Sequence, residues 1–177
     1  MTTSPLDIKF EDALPKLIQV ELFCDFATEN EENASILKRV FEKFSLRFYD
    51  RGETIITEGE KGTEFYILLE GHLQVLRKTP CNDQIAIADL DDTQHIFFGE
   101  SSLLGTDIRT ATVMAKSRCR VLVMNGSDFL ELCKENPLLG FYAYKRIAER
   151  MQSSVKRANK DITVLYDALF REVESNA

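Results

Sequence analysis

The stretch Phe98-Gly-Glu-Ser-Ser-Leu-Leu-Gly-Thr-Asp-Ile-Arg-Thr-Ala-Thr-Val113 gathers residue types that can hold an anion. An apolar run gives way to Gly99, a carboxylate at Glu100 and two small hydroxyl residues, Ser101 and Ser102. Arg109 follows nine residues after Glu100, just before another apolar run. Successive backbone N–H groups at a short helix N-terminus point toward a phosphate, and small side chains let it approach. The planar guanidinium of Arg109 meets phosphate oxygens with a fork of donors. A carboxylate beside an anion needs its own partner, and a sugar hydroxyl suits Glu100. Phosphate with ribose suggests a nucleotide. On spacing alone, an ion pair between Glu100 and Arg109 across a surface loop explains the same residues equally well.

Other chemistry is poorly supplied. A metalloenzyme on a jelly roll needs several histidines and a carboxylate converging on a metal. The chain has two histidines, His72 and His95, far apart in sequence, so neither a metal nor catalysis is expected. Cys24, Cys81, Cys119 and Cys133 are scattered without a Cys-x-x-Cys pair and are read as free, buried thiols. A net charge of −7 opposes binding to DNA. Lys145, Arg146, Arg150, Lys156, Arg157 and Lys160 form a local exception, read as a solvated helix face because Glu149 and Asp161 interleave with them. No stretch approaches the roughly 20 apolar residues of a membrane span. Nor does the N-terminus carry a basic start and apolar run, so a cytoplasmic protein without membrane partners is expected.

The elements that must position these residues fall into three zones of one expected domain, 1–177. Residues 1–45 read as a helical, acidic segment, with Thr28 and Glu31 as a capping box and Ile36, Leu37, Val40, Phe41 and Phe44 as one apolar stripe. Residues 46–125 hold short β-branched and aromatic runs, from Thr54-Ile-Ile to Arg120-Val-Leu-Val-Met, punctuated by Gly52, Gly59, Gly62 and Gly71. Many short strands at even spacing predict a barrel or jelly roll. Residues 126–177 return to helix, with Ser127 as N-cap and Pro137 opening a longer helix through Phe170.

The Phe-Gly-Glu…Arg-Thr-Ala segment resembles the phosphate-binding cassette of the cyclic-nucleotide-binding domain family. The upstream run Ile55-Ile-Thr-Glu-Gly-Glu-Lys-Gly-Thr-Glu-Phe-Tyr-Ile-Leu-Leu-Glu-Gly71 resembles that family's glycine signature, so two motifs stand in the right order. The resemblance covers roughly residues 35–160. It implies a mainly β fold, an eight-stranded β-roll with N-terminal helices and a long C-terminal helix. It further implies cAMP or cGMP as ligand, with Glu100 on the ribose 2′-hydroxyl and Arg109 on the cyclic phosphate. Backbone amides near Ser102 and Ala111 would complete the cradle, and Gly99 would permit the turn. Gly52, Gly59, Gly62 and Gly71 would be turn positions. The chain departs from the pattern at Ser101-Ser102, where an aliphatic residue and alanine are usual, and at Ile108, where proline is usual. Thr110, after the arginine, could accept from the 2-amino group of a guanine, yet threonine also stands there in cAMP-responsive relatives. A domain that keeps the fold without the ligand is the competing reading.

Ile147, Met151, Ser154, Ala158, Ile162, Leu165 and Leu169 make a narrow seam on the last helix. It resembles the dimer helix of the catabolite-activator branch, which implies a homodimer and places Ser154 near the base; packing on the parent domain is the alternative. With only a few residues after Phe170, no helix-turn-helix is expected, so the signal would pass to a downstream protein.

Overall fold

The computed structural model describes residues 2–4, 8–25, 31–105 and 108–175. The expected capping-box residue Thr28 lies outside them. In chain order the elements are β1 (Thr2–Ser4), α1 (Phe10–Leu17), α2 (Glu31–Glu42), β2 (Ser45–Tyr49), β3 (Thr54–Ile56), β4 (Glu64–Glu70) and β5 (His72–Lys78). They continue with β6 (Gln84–Asp91), β7 (Phe97–Phe98), β8 (Thr112–Ala115), β9 (Cys119–Asn125), α3 (Gly126–Glu135) and α4 (Pro137–Ser175). The strands form two antiparallel sheets, ordered β1-β2-β9-β4-β7 and β3-β8-β5-β6. The eight strands β2–β9 are the expected roll. β1 is an unexpected edge addition, pairing Thr2 with Phe48 and Ser4 with Leu46 inside a zone read as helical.

β4 and β9 explain why the roll holds together. Their runs are buried on both faces, so they read as continuous apolar stretches without alternation. Phe65, Ile67 and Leu69 of β4, with Leu122 and Met124 of β9, face the helices and join a core with Leu37, Val40, Phe41, Phe129 and Leu139. Tyr66 and Leu68, with Val121 and Val123, face the interior between the sheets beside Tyr49, Phe98 and Val113. Two cores therefore share one pair of strands. Phe65 meets Phe44 and Phe129 edge-on, at 5.7 and 5.4 Å between centroids. Such pairs contribute about 0.5–1.5 kcal/mol each beyond the area they bury.

Several local expectations need correction. The cap of α3 is Asn125, whose side chain accepts from the Ser127 N–H at 3.0 Å and from the Ser127 hydroxyl at 2.9 Å; Ser127 itself lies inside the helix. The run from His95 contributes only Phe97 and Phe98 as strand, because His95 takes a left-handed backbone (φ +49°) after a short 3-10 turn. All four cysteines are free, but Cys24 and Cys81 are exposed; only Cys119 and Cys133 are buried. Burial pushes the Cys133 thiol up to about 11, so it is inert near neutral pH. Among the described residues, no helix is long and apolar enough to cross a membrane.

α4 runs 39 residues. Leu139, Ala143 and Ile147 anchor its first part in the core, so Ile147 is not part of a dimer seam. From Met151 onward the helix is exposed, and its apolar positions include Met151, Val155, Ile162, Leu165 and Leu169.

Candidate functional site

Gly99 turns the chain out of β7 with a left-handed backbone (φ +77°), which only glycine adopts freely, and starts the 3-10 turn Glu100–Leu104. The turn is fixed from both ends. The Ser102 amide and hydroxyl donate to the Gly99 carbonyl at 3.2 and 2.9 Å, so both Ser102 donors close the turn itself. Leu103 is buried, and the Tyr144 hydroxyl on α4 donates to its carbonyl at 2.9 Å. The first residue of α3 presses on the same turn: a Cβ at Gly126 would sit 2.5 Å from the Ser102 carbonyl oxygen.

Arg109 lies on the other side. Its backbone N–H donates to the Glu60 carbonyl at 2.9 Å, and its carbonyl accepts from the Gly59 N–H at 2.9 Å. The upstream glycine signature and the cassette, separate in sequence, are thus stitched together at this residue. The side chain is 5% exposed and runs inward. Nη2 donates to the Glu64 carbonyl at 2.5 Å and Nη1 to the Gly99 carbonyl at 3.3 Å. The guanidinium sits 5.8 Å from the Tyr66 ring centroid, and Tyr66 stacks on Phe98 at 5.1 Å. Backbone carbonyls engage two of the guanidinium's five N–H donors.

Behind Arg109 stands a second polar group. Arg47 on β2 grips the Glu64 carboxylate with both terminal guanidinium nitrogens, Nη1 at 2.8 Å, and the Tyr66 hydroxyl donates to it at 3.1 Å. Burial pushes the Glu64 carboxyl up, but Arg47, with help from Tyr66 and Arg109, outweighs burial and holds it below its ordinary value. Burial likewise pushes the Tyr66 phenol upward, as does the neighbouring Glu64.

Glu100 and Arg109 do not turn toward each other. Glu100 faces α4 instead, with its Oε1 4.0 Å from Nε of Arg150. Arg150 also donates to the Phe97 carbonyl at 2.7 Å and lies 4.7 Å from the Phe97 ring centroid. Arg150, expected as part of a solvated basic face, is therefore a link between helix and cassette. Arg146 is engaged too, pairing with Asp25 at 2.6 and 3.0 Å. Of the remaining expected residues, Ser101 and Ala111 are half-buried and Thr110 is exposed. Ser154 is exposed on α4, one turn beyond Arg150.

Gly62, Tyr66 and Arg150 were missed as site residues. The first two sit inside the quoted glycine signature, and Arg150 precedes Ser154 by four residues on the same helix face. Gly62, expected at a turn, lies outside one in the approach to β4, and its backbone is not left-handed, unlike those of Gly52, Gly59 and Gly71. Among the described residues, no three histidine, cysteine or acidic side chains gather as a metal site.

Several known proteins are similar to this chain. The regulatory subunit of a cAMP-dependent protein kinase from Mycosarcoma maydis is 36% identical over 107 residues, 58% of this chain and 19% of that protein. Human cGMP-dependent protein kinase 2 is 27% identical over 126 residues, 71% of this chain and 15% of that one. The chain thus spans less than a fifth of either relative's length. In fold it is similar to the catabolite activator protein of Thermus thermophilus, with a TM-score of 0.64 at 23% identity over 76% of this chain and 61% of that one. The N-terminal domain of a transcriptional regulator from Streptomyces coelicolor also gives 0.64, matched over 81% of this chain and 94% of that structure. The family model described as the cyclic nucleotide-binding domain matches residues 46–136, the stretch from β2 to the start of α4, and the chain belongs to that family.

Proposed function

We propose that the chain is a sensor that binds a 3′,5′-cyclic nucleotide, cAMP or cGMP, at the cassette and passes occupancy to a partner protein through α4. One observation carries this reading. The single turn from Gly99 to Leu104 touches Arg109 through the Gly99 carbonyl and Arg150 of α4 through the Glu100 carboxylate. Arg109 would meet the cyclic phosphate with its remaining donors, and Glu100 would accept from the ribose 2′-hydroxyl. A hydroxyl arriving at Glu100 competes with Arg150 for the same carboxylate, so the helix feels the ligand. Relatives named for cAMP and for cGMP both match, which supports the ligand class and leaves the base open. The exposed apolar side chains of α4 beyond Met151 support a homodimer along that helix.

Calorimetry and thermal unfolding test the reading. A ligand at one hundred times Kd stabilises the folded state by about 2.7 kcal/mol, which moves Tm by roughly 5–10 °C for a domain of this size. Arg109→Ala should weaken binding by about 2–5 kcal/mol, because a desolvated phosphate loses its charged partner. Glu100→Ala should cost less, since ribose is neutral. A second reading also has an observation behind it: with 5% exposure and two carbonyl partners, Arg109 could serve only to close the roll. In that case neither nucleotide at millimolar concentration shifts Tm, and the sensor reading fails.

A further inference from the structure

Gly62 lacks a side chain for a reason its backbone does not supply, since its φ is not in the left-handed region. The reason is contact. A Cβ built there would lie 2.7 Å from Nη2 and 2.9 Å from Cζ of Arg109, and closer still to Nε. Real carbon atoms do not approach so near, so the guanidinium occupies the space a side chain would need. Gly99 repeats the arrangement on the far end of the group, where a Cβ would come 3.1 Å from Nη1. The Tyr66 ring covers a further side, and the carbonyls of Glu64 and Gly99 hold the two terminal nitrogens. Two glycines from two separate motifs therefore bracket one cation.

We infer that Gly62 is a positioning residue: by carrying no side chain it sets the depth at which Arg109 rests, and so aims the donors that meet the cyclic phosphate. The inference rests on the proposed cassette and adds to it a residue that touches no ligand. Gly62→Ala leaves every charge in place but drives the guanidinium off its carbonyls. Such overpacking of a well-filled site costs stability, and it misplaces the donors from the anion.

A double-mutant cycle separates this role from an ordinary turn requirement. Gly62→Ala, Arg109→Ala and the double variant would be compared by ligand-free thermal unfolding and by calorimetry with cAMP and cGMP. In the wild-type background, Gly62→Ala should lower Tm by about 2–12 °C and weaken nucleotide binding by roughly 10-fold or more. In the Arg109→Ala background the added methyl meets no guanidinium, and both effects should vanish. Should Gly62→Ala alone fail to fold, the double variant should fold again. Equal losses in both backgrounds, a double variant that also fails to fold, or no loss in either would overturn the inference. If the wild-type chain binds neither nucleotide, the sensor reading falls and the positioning role falls with it. Loss of the coupling in a chain that does bind overturns Gly62 alone.

Discussion

Thr110 follows Arg109 directly and is exposed. In a guanine held syn, the 2-amino group would donate to the Thr110 hydroxyl, whereas adenine lacks the group. Thr110→Ala should therefore weaken cGMP more than cAMP by roughly 0.5–1.5 kcal/mol, the worth of one hydrogen bond. Calorimetry on both nucleotides measures the difference, and an equal loss for both would show that Thr110 does not read the base. The neighbouring residues divide by how far their meaning could be seen in advance. Glu100 and Arg109 stand within one short motif, where type and spacing suit an anion and a sugar as well as a surface ion pair, and the resemblance of two motifs in order decides between them. Gly62 and Arg150 matter through contacts made only once β4, β7 and α4 are assembled, and no local pattern distinguishes a glycine needed for its φ from one needed for its emptiness.

At the scale of elements, the ion pair between Arg47 and Glu64 links β2 to β4 across the intervening β9. Its pH dependence has a definite sign. The Glu64 carboxyl is held below its ordinary value of 4.5 in the folded protein, so the unfolded chain binds the proton more readily. The pair's contribution is present above pH 4.5 and is lost as pH falls through the lower folded value. Between pH 6 and pH 3 the wild-type Tm should thus fall more than that of Glu64→Gln; parallel curves would mean that the clamp carries no stability. The strands themselves were largely legible. Continuous apolar runs such as Phe65-Tyr-Ile-Leu-Leu mark strands buried on two faces. β1 was not legible, because three small polar residues on an edge carry no hydrophobic period. The cap of α3 was misplaced by two residues, because Asn125 ends a strand and caps a helix at once, and Ser127 has the same chemistry. The seam on α4 was drawn one turn too early, since Ile147 has the period of the stripe but the burial of the core.

At the scale of the whole molecule, α4 is exposed from Met151 onward. Ile162 and Leu165 are each 63% exposed in the single chain. In the proposed dimer they would be buried against a second copy. Ile162→Asp with Leu165→Asp should then give a monomer by light scattering, because neither aspartate can be buried unpaired. Coupling between helix and pocket is reciprocal, so the same variant should change nucleotide affinity while Glu100 and Arg109 stay intact. A wild-type monomer would remove the dimer, and a monomeric variant of unchanged affinity would remove the coupling.

The length of that free helix has a mechanical meaning of its own. From Met151 to Ser175 it projects about 37 Å at 1.5 Å per residue. Its root is held by two arginine anchors, Arg146 on Asp25 and Arg150 on Phe97 and Glu100. A rod fastened at one end is a lever, and a tilt of about 10° at Arg150 carries its tip through about 6 Å. In the proposed sensor, a hydrogen bond changing hands at Glu100 would thereby become a displacement wide enough for a partner protein to register.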